Sequence, residues 1–231
     1  MCLYCGKVYL KTSLSMEPRG ARCLWLCQHT VNEPFQPEQT YIYWQGQNNS
    51  NTVVHVYSRG TEEYQHQSKS FNNRTKIFPD LLSSGNFSLI IEPLMLKDDQ
   101  TSLEVVFMQG NKEREKPCQL TLYVAVPFQE PETEINQANM TATCRTKGGY
   151  PKPEIEWSSG DGRTILEVQT KMTSEEDGTY SVSSTADITG LQKVTCRVYN
   201  PTLNQTLSAS KDMTSSITPF TGTVVYCIHS N

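Results

Sequence analysis

The sequence predicts an all-β chain of two sandwich domains in tandem, and three observations lead there. Cys144, then Trp157 about a dozen residues later, then Cys196 about fifty beyond Cys144 follow a known pattern: a bridge joins strands B and F, and the strand-C tryptophan packs on it. Gly148-Gly149-Tyr150-Pro151-Lys152-Pro153 is a turn ahead of a strand, and Tyr180-Ser181-Val182-Ser183-Ser184 alternates as strands do. The length of 231 residues suits two units of roughly 100 residues each, and no helical periodicity runs long enough to matter. The fold class is therefore two tandem immunoglobulin-like β-sandwiches. The second is constant-type; the first reads as variable-type from its own elements.

Residues 1–20 show no fold-specific pattern and are expected to be irregular. From Ala21 to Cys27, Cys23, Trp25 and Cys27 recur with period 2 and share one strand face. A loop with Pro34 and Pro37 follows, and Tyr41-Ile42-Tyr43-Trp44-Gln45 reads as strand C. Asn48 to Asn51 is a turn cluster, and the β-branched run from Thr52 to Tyr57 is the strand behind it. Phe87 to Ile91 alternates as strand E. Asp98-Asp99-Gln100 stands at the turn into strand F, and Leu120 to Val124 is the final strand. Two extra strands between Trp44 and strand E make this domain variable-type. Ile42, Trp44, Leu89, Ile91, Leu122 and Val124 are expected to form its core. The domain limits read as 1–20, an irregular segment; 21–126, variable-type; and 127–212, constant-type. Residues 213–231 are a Ser/Thr-rich stalk or the truncated start of a membrane segment.

Composition narrows the function. A net charge of -4 supplies no basic field, which argues against a nucleic-acid partner. Eight cysteines and the Cys144–Cys196 pattern point to an oxidising compartment. Asn-x-Ser/Thr acceptors occur at Asn48, Asn73, Asn86, Asn139 and Asn204, while Pro201 disqualifies Asn200. A secreted or surface glycoprotein follows. Residues 1–20 hold no apolar run of signal-peptide type, and Thr223 to Ile228 is far shorter than the ~20 residues of a membrane span. The chain is expected to be ectodomain material from a longer precursor, with neither signal peptide nor span visible in it.

Chemistry finds no foothold. His29, His55, His66 and His229 are scattered, and no nucleophile signature stands near them. Cys2-x-x-Cys5 and Cys23-x-x-x-Cys27 have finger-like zinc spacing, but Cys27 serves better as the strand-B cysteine. The expectation is no catalytic residue, no metal, no cofactor and no small-molecule substrate.

Tyr41-Ile42-Tyr43-Trp44-Gln45, Asn73-Arg74-Thr75 with Phe78-Pro79-Asp80-Leu81-Leu82, and Gly85-Asn86-Phe87-Ser88-Leu89 resemble the variable domain of the T-cell costimulatory ligand family. Leu122 to Phe128, Gly149 to Pro153, and Asn200 to Leu207 continue the resemblance, which covers roughly residues 21–210. It implies a type I surface glycoprotein on the external side of the plasma membrane. Such a protein engages a T-cell surface receptor of the costimulatory-receptor family. It also implies that the sheet of strands G, F, C and C′ in the first domain is the recognition face. A homophilic adhesion protein with weak self-association, and a truncated non-functional product, are the alternatives.

With Trp44 turned inward, alternation sends Tyr41, Tyr43 and Gln45 outward on strand C. Exposed tyrosines offer large rigid contact area, which favours them at binding hot spots. His55 and Tyr57 share a parity on C′ and are expected to join the patch. Met108, Gln119 and Tyr123 extend it on strands F and G.

Strand F departs from the family's Asp-x-Gly/Ala-x-Tyr-x-Cys pattern. Straight counting puts Glu104 at the cysteine position, where a carboxylate would be costly to desolvate. A slip of one residue puts Leu103, Val105 and Phe107 inside and leaves Glu104 in water, and burial cost favours it. Either way Cys27 loses its usual partner. Cys118 pairs with Cys27 or Cys23, or all three are buried thiols. The first domain is expected to lack a B-to-F bridge and to be the less stable of the two.

Overall fold

The computed structural model describes residues 8–9, 21–31, 33–47 and 51–213. The first domain contributes β1 (Val8–Tyr9), β2 (Cys23–Trp25), β3 (Thr40–Gly46), β4 (Val53–Ser58), β5 (Thr61–Glu63), β6 (Thr75–Lys76), β7 (Leu89–Ile91), β8 (Ser102–Gln109), β9 (Gln119–Thr121) and β10 (Val124–Ala125). One sheet runs β2-β7-β6 and the other β5-β4-β3-β8-β9. In immunoglobulin letters these are B-E-D and C″-C′-C-F-G, the variable-type arrangement. Val8–Tyr9 pairs in parallel with Val124–Ala125, so part of the segment expected to be irregular is a short strand.

The second domain holds β11 (Glu132–Asn136), β12 (Thr141–Gly149), β13 (Glu154–Ser159), β14 (Val168–Ser174), β15 (Tyr180–Asp187), β16 (Lys193–Asn200) and β17 (Gln205–Asp212). Its sheets run β11-β12-β15-β14 and β13-β16-β17, the A-B-E-D and C-F-G sheets of a constant-type sandwich.

Each core forms where alternating strand residues meet across the two sheets. In the first domain Trp25, Ile42, Trp44, Leu89, Ile91, Leu103, Val105, Leu122 and Val124 are buried together. The Trp44 indole N–H donates to the Phe87 carbonyl at 2.9 Å, tying strand C to the opposite sheet. In the second, Trp157 sits among Cys144, Val182, Ala186, Val194 and Cys196, and its N–H donates to Ser184 Oγ at 2.9 Å. Gly85 shows how tightly the first sandwich closes: its φ is +79°, and a Cβ there would lie 1.8 Å from the His29 carbonyl.

Strand F settles in the slipped register, with Leu103, Val105 and Phe107 inside. Glu104, however, is not in water. It is 2% exposed, because Gln45, Lys116 and the adjoining G strand close over it on the outer face.

No B-to-F bridge stands among the described residues of the first domain, as expected, and of the alternatives left open for Cys118 the structure holds the pairing with Cys27. Cys27 is joined to Cys118 with a Cα–Cα distance of 5.9 Å, and Cys144 to Cys196 at 6.3 Å. The first bridge runs from strand B to the start of strand G. It fits because the Val105 N–H donates to the Cys118 carbonyl at 2.9 Å, bringing that residue alongside strand F over strand B. Cys27 is therefore no zinc ligand, and Cys23 is buried beside it in the core. Cys2, Cys5, Cys227 and His229 lie outside the described residues.

Candidate protein-binding face

The face is the outer side of β4, β3, β8 and β9, and the ladder register fixes its composition. Tyr43 lies opposite Val56 on one side and Val106 on the other. Tyr41 lies between Ser58 and Met108, and Gln45 between Val53 and Glu104, which in turn faces Gln119 on β9. Tyr41, Tyr43, Gln45 and Met108 are half-buried and Gln119 is exposed. Val56 and Val106 are each 3% exposed, so Tyr43 rests mid-sheet on an apolar bed. A rigid aromatic ringed by less exposed neighbours is the usual anatomy of an interface hot spot.

Polar contacts hold both flanks of the tyrosines. Arg59 Nε donates to the Tyr41 hydroxyl at 2.5 Å, and its guanidinium lies 5.6 Å from the ring centroid. The hydrogen bond to Tyr41 raises the Arg59 pKa further above its already high ordinary value. On the other flank Gln45 Nε2 donates to Glu104 Oε1 at 3.1 Å, and Lys116 Nζ pairs with Glu104 Oε2 at 2.9 Å. Gln47 Nε2 donates to Gln119 Oε1 at 3.2 Å. Among the described residues Glu104 Oε2 makes no hydrogen bond, so at that oxygen the Lys116 ion pair alone offsets the cost of burying the carboxylate. The F–G loop is tied to the end of strand B and the segment after it by Cys27–Cys118, by His29 Nε2 to Glu115 Oε2 at 3.0 Å, and by the Lys112–Glu33 ion pair.

Two sequence-based members of the patch are corrected. His55 and Tyr57 lie opposite Trp44 and Ile42, the inward residues of strand C, and are 0% and 6% exposed. Their parity with each other was sound, but the C–C′ register points both into the sandwich. His55 survives there through hydrogen bonds to Glu62 Oε2 and Thr75 Oγ1, each 2.9 Å. Tyr123 is 43% exposed but lies past the last β8–β9 pair, Ser102 with Thr121, away from the tyrosine row. Arg59, Val56, Val106, Glu104 and Lys116 were not anticipated as face residues. The alternation of strand F, once set by its buried residues, is the one signal that points to Val106 and Glu104.

Among the glycosylation acceptors, Asn73, Asn139 and Asn204 are exposed and Asn86 is half-buried, while Asn48 lies outside the described residues. Asn73 and Asn86 precede β6 and β7, on the sheet opposite the tyrosine row. Among the described residues, no group of three His, Cys, Asp or Glu is placed to hold a metal ion, and no helix is long and apolar enough to cross a membrane.

A family model for the butyrophilin subfamily 3 member A2-like Ig-C domain matches residues 131–208. The CD276 antigen homolog of Xenopus laevis is 26% identical over 210 residues, covering 87% of this chain and 66% of the relative. Human V-set domain-containing T-cell activation inhibitor 1 is 28% identical over 163 residues, covering 68% of this chain and 52% of the relative. Human ICOS ligand is 26% identical over 146 residues, covering 61% and 48%. The chain is thus similar to proteins named as an ICOS ligand and as a T-cell activation inhibitor. The chain spans about half to two thirds of the length of these relatives. Two solved structures share its fold. A chain in the crystal structure of ICOS in complex with ICOS-L and an anti-ICOS-L VNAR domain aligns with TM-score 0.72 at 22% identity, covering 83% of this chain and 95% of that one. Bovine butyrophilin aligns with TM-score 0.70 at 18% identity, covering 84% and 92%.

Proposed function

We propose that this chain is the extracellular part of a plasma-membrane ligand that binds a T-cell surface receptor of the costimulatory or coinhibitory kind. The β4-β3-β8-β9 sheet of the first domain makes the contact. The observation behind this reading is Tyr43, seated mid-sheet between Val56 and Val106 with Tyr41, Gln45, Met108 and Gln119 around it. ICOS ligand is a relative, and an ICOS-L chain of the same fold has been crystallised with ICOS, which supports a receptor of that kind as partner. The mechanism is contact without chemistry: a rigid aromatic face docks reversibly, and the constant-type domain spaces it from the membrane.

Glycans at Asn73, Asn86, Asn139 and Asn204, with Asn48 a further acceptor, fit this reading because the first two border the opposite sheet. Absence of a mass change on enzymatic deglycosylation of the secreted chain would count against the surface assignment.

The face is tested by binding the folded chain to a panel of T-cell costimulatory and coinhibitory receptors. Tyr43→Ala should cost about 2 kcal/mol or more, the scale of a hot spot, with smaller losses at Tyr41 and Gln45. Leu26→Ala, at an exposed position on the opposite sheet, is the control and should bind as the parent does. Equal binding by Tyr43→Ala and parent, with loss in Leu26→Ala, would place the contact on the other sheet. Self-association lost in Tyr43→Ala, with no receptor bound by the parent, would favour homophilic adhesion.

A further inference from the structure

The junction between the sandwiches is secured along the linker. Val126 and Tyr150 exchange backbone hydrogen bonds, each 2.9 Å. Asn200 donates from Nδ2 to both of their carbonyls, at 3.1 and 3.0 Å. Phe128 closes against Gly149, where a Cβ would fall 2.3 Å from the ring. Contacts strung along a linker define a pivot and leave rotation about it open.

Two side-chain contacts lie outside that linker. Leu96 of the first domain packs on the β14–β15 turn, where a Cβ on Gly178 would be 3.2 Å from its Cδ1. The Tyr150 hydroxyl, at the far end of its ring, donates to Asp99 Oδ2 at 3.1 Å. Asp99 Oδ1 accepts the Val124 N–H at 2.7 Å, so one carboxylate grips its own domain and the next. Its neighbour Asp98 turns the other way and pairs with Arg74 inside the first domain. The Tyr150 ring is stacked on Tyr180 at 6.2 Å, which sets its direction.

We propose that the Asp99–Tyr150 hydrogen bond is a latch that sets the angle between the two domains and so the attitude at which the aromatic face is presented. Tandem domains otherwise move relative to one another unless their interface is extensive. A hydrogen bond to a carboxylate is among the stronger kinds. Burial first, then the bond to Asp99, pushes the Tyr150 pKa up, which keeps the hydroxyl a donor through the neutral range. The latch stands on the junction alone; only its use in presentation rests on the proposed receptor reading.

Residual dipolar couplings on the full chain test it. In the parent, amides of both domains should fit one alignment frame. Tyr150→Phe and Asp99→Ala should each require two frames, with amide shifts away from the junction unchanged. Asp99→Asn should keep one frame, since its Oδ1 still accepts from Val124 and its Nδ2 donates to the Tyr150 oxygen. A single frame in Tyr150→Phe, or two frames in the parent, would overturn the latch, as would Asp99→Asn behaving like Asp99→Ala. Tyr43→Ala should leave the shared frame intact while changing receptor binding, so the latch and the face can fail separately.

Discussion

Trp44 lies directly opposite Val105 across the C–F ladder of the first domain, where the second domain sets Trp157 opposite Cys196. The two sandwiches keep the same tryptophan and differ in what faces it. Val105 fills the cysteine's place as an apolar plug, and the staple moves one strand over to Cys118. The shifted staple holds the start of strand G, beside the exposed Gln119 and the Lys116 that covers Glu104.

That relationship predicts the cost of losing the staple. The Cys27–Cys118 bridge closes 91 residues and Cys144–Cys196 closes 52. Both are worth about 4–5 kcal/mol in the chain-entropy account, whose mechanism is disputed, and native bridges measure ~2–5 kcal/mol. Cys118→Ala should lower the first domain's calorimetric transition and leave the second's in place. Adding Val105→Cys to that variant should rebuild a bridge to Cys27, visible by non-reducing peptide mapping, and recover most of the loss. An unchanged transition in Cys118→Ala would mean the staple contributes nothing.

Arg74 and Asp98 form a second staple, within the lower end of the first sandwich. Nη1 and Nη2 reach the two carboxylate oxygens at 2.7 and 2.9 Å, both residues are nearly fully buried, and Arg74 also donates to the Ser70 and Pro93 carbonyls. Removing one member of a buried pair strands the other charge and typically costs ~3–5 kcal/mol. Arg74→Met should therefore destabilise the first domain strongly in urea, and adding Asp98→Leu should return part of the loss. Additive losses in the double variant would refute the coupling.

His55 predicts how stability depends on pH. Burial pushes its pKa below the ordinary histidine value, and Glu62 only partly offsets this. Glu62 can only accept, so Nε2 carries the hydrogen and Nδ1 accepts from Thr75. Because the folded pKa is depressed, the unfolded chain binds the proton more readily. Stability is then full above the unfolded value near 6.5 and is lost as pH falls through the lowered folded value. His55→Gln should flatten that part of the first domain's stability profile below pH 6.5. A slope unchanged by His55→Gln would assign the effect elsewhere.

The elements legible in the sequence are those written in local spacing. Cys144, Trp157 and Cys196 mark a constant-type sandwich because the strand-B, C and F positions recur at set intervals. Ile42 and Trp44 alternating with Tyr41, Tyr43 and Gln45 divide strand C into an inner and an outer face with no further information. Leu89, Ile91, Leu122 and Val124 declare their burial in the same way. Alternation within one strand follows from the pleat alone, so the sequence by itself determined it.

What only the tertiary structure decided is how strands sit against one another. Thr52 to Tyr57 is apolar on both faces, so its pattern cannot say which residues meet Trp44; the ladder register does, and it buries His55 and Tyr57. Glu104 is polar on a strand whose register two readings shared, and its burial depends on Lys116 and Gln45 arriving from other elements. Cys118 could be judged only by distance, and distance depends on how strand G lies beside strand F. Asp99 and Tyr150 stand in different domains, and no local pattern links them. Strand register and domain contact arise between segments far apart in the chain, so they become visible only once the chain has closed on itself.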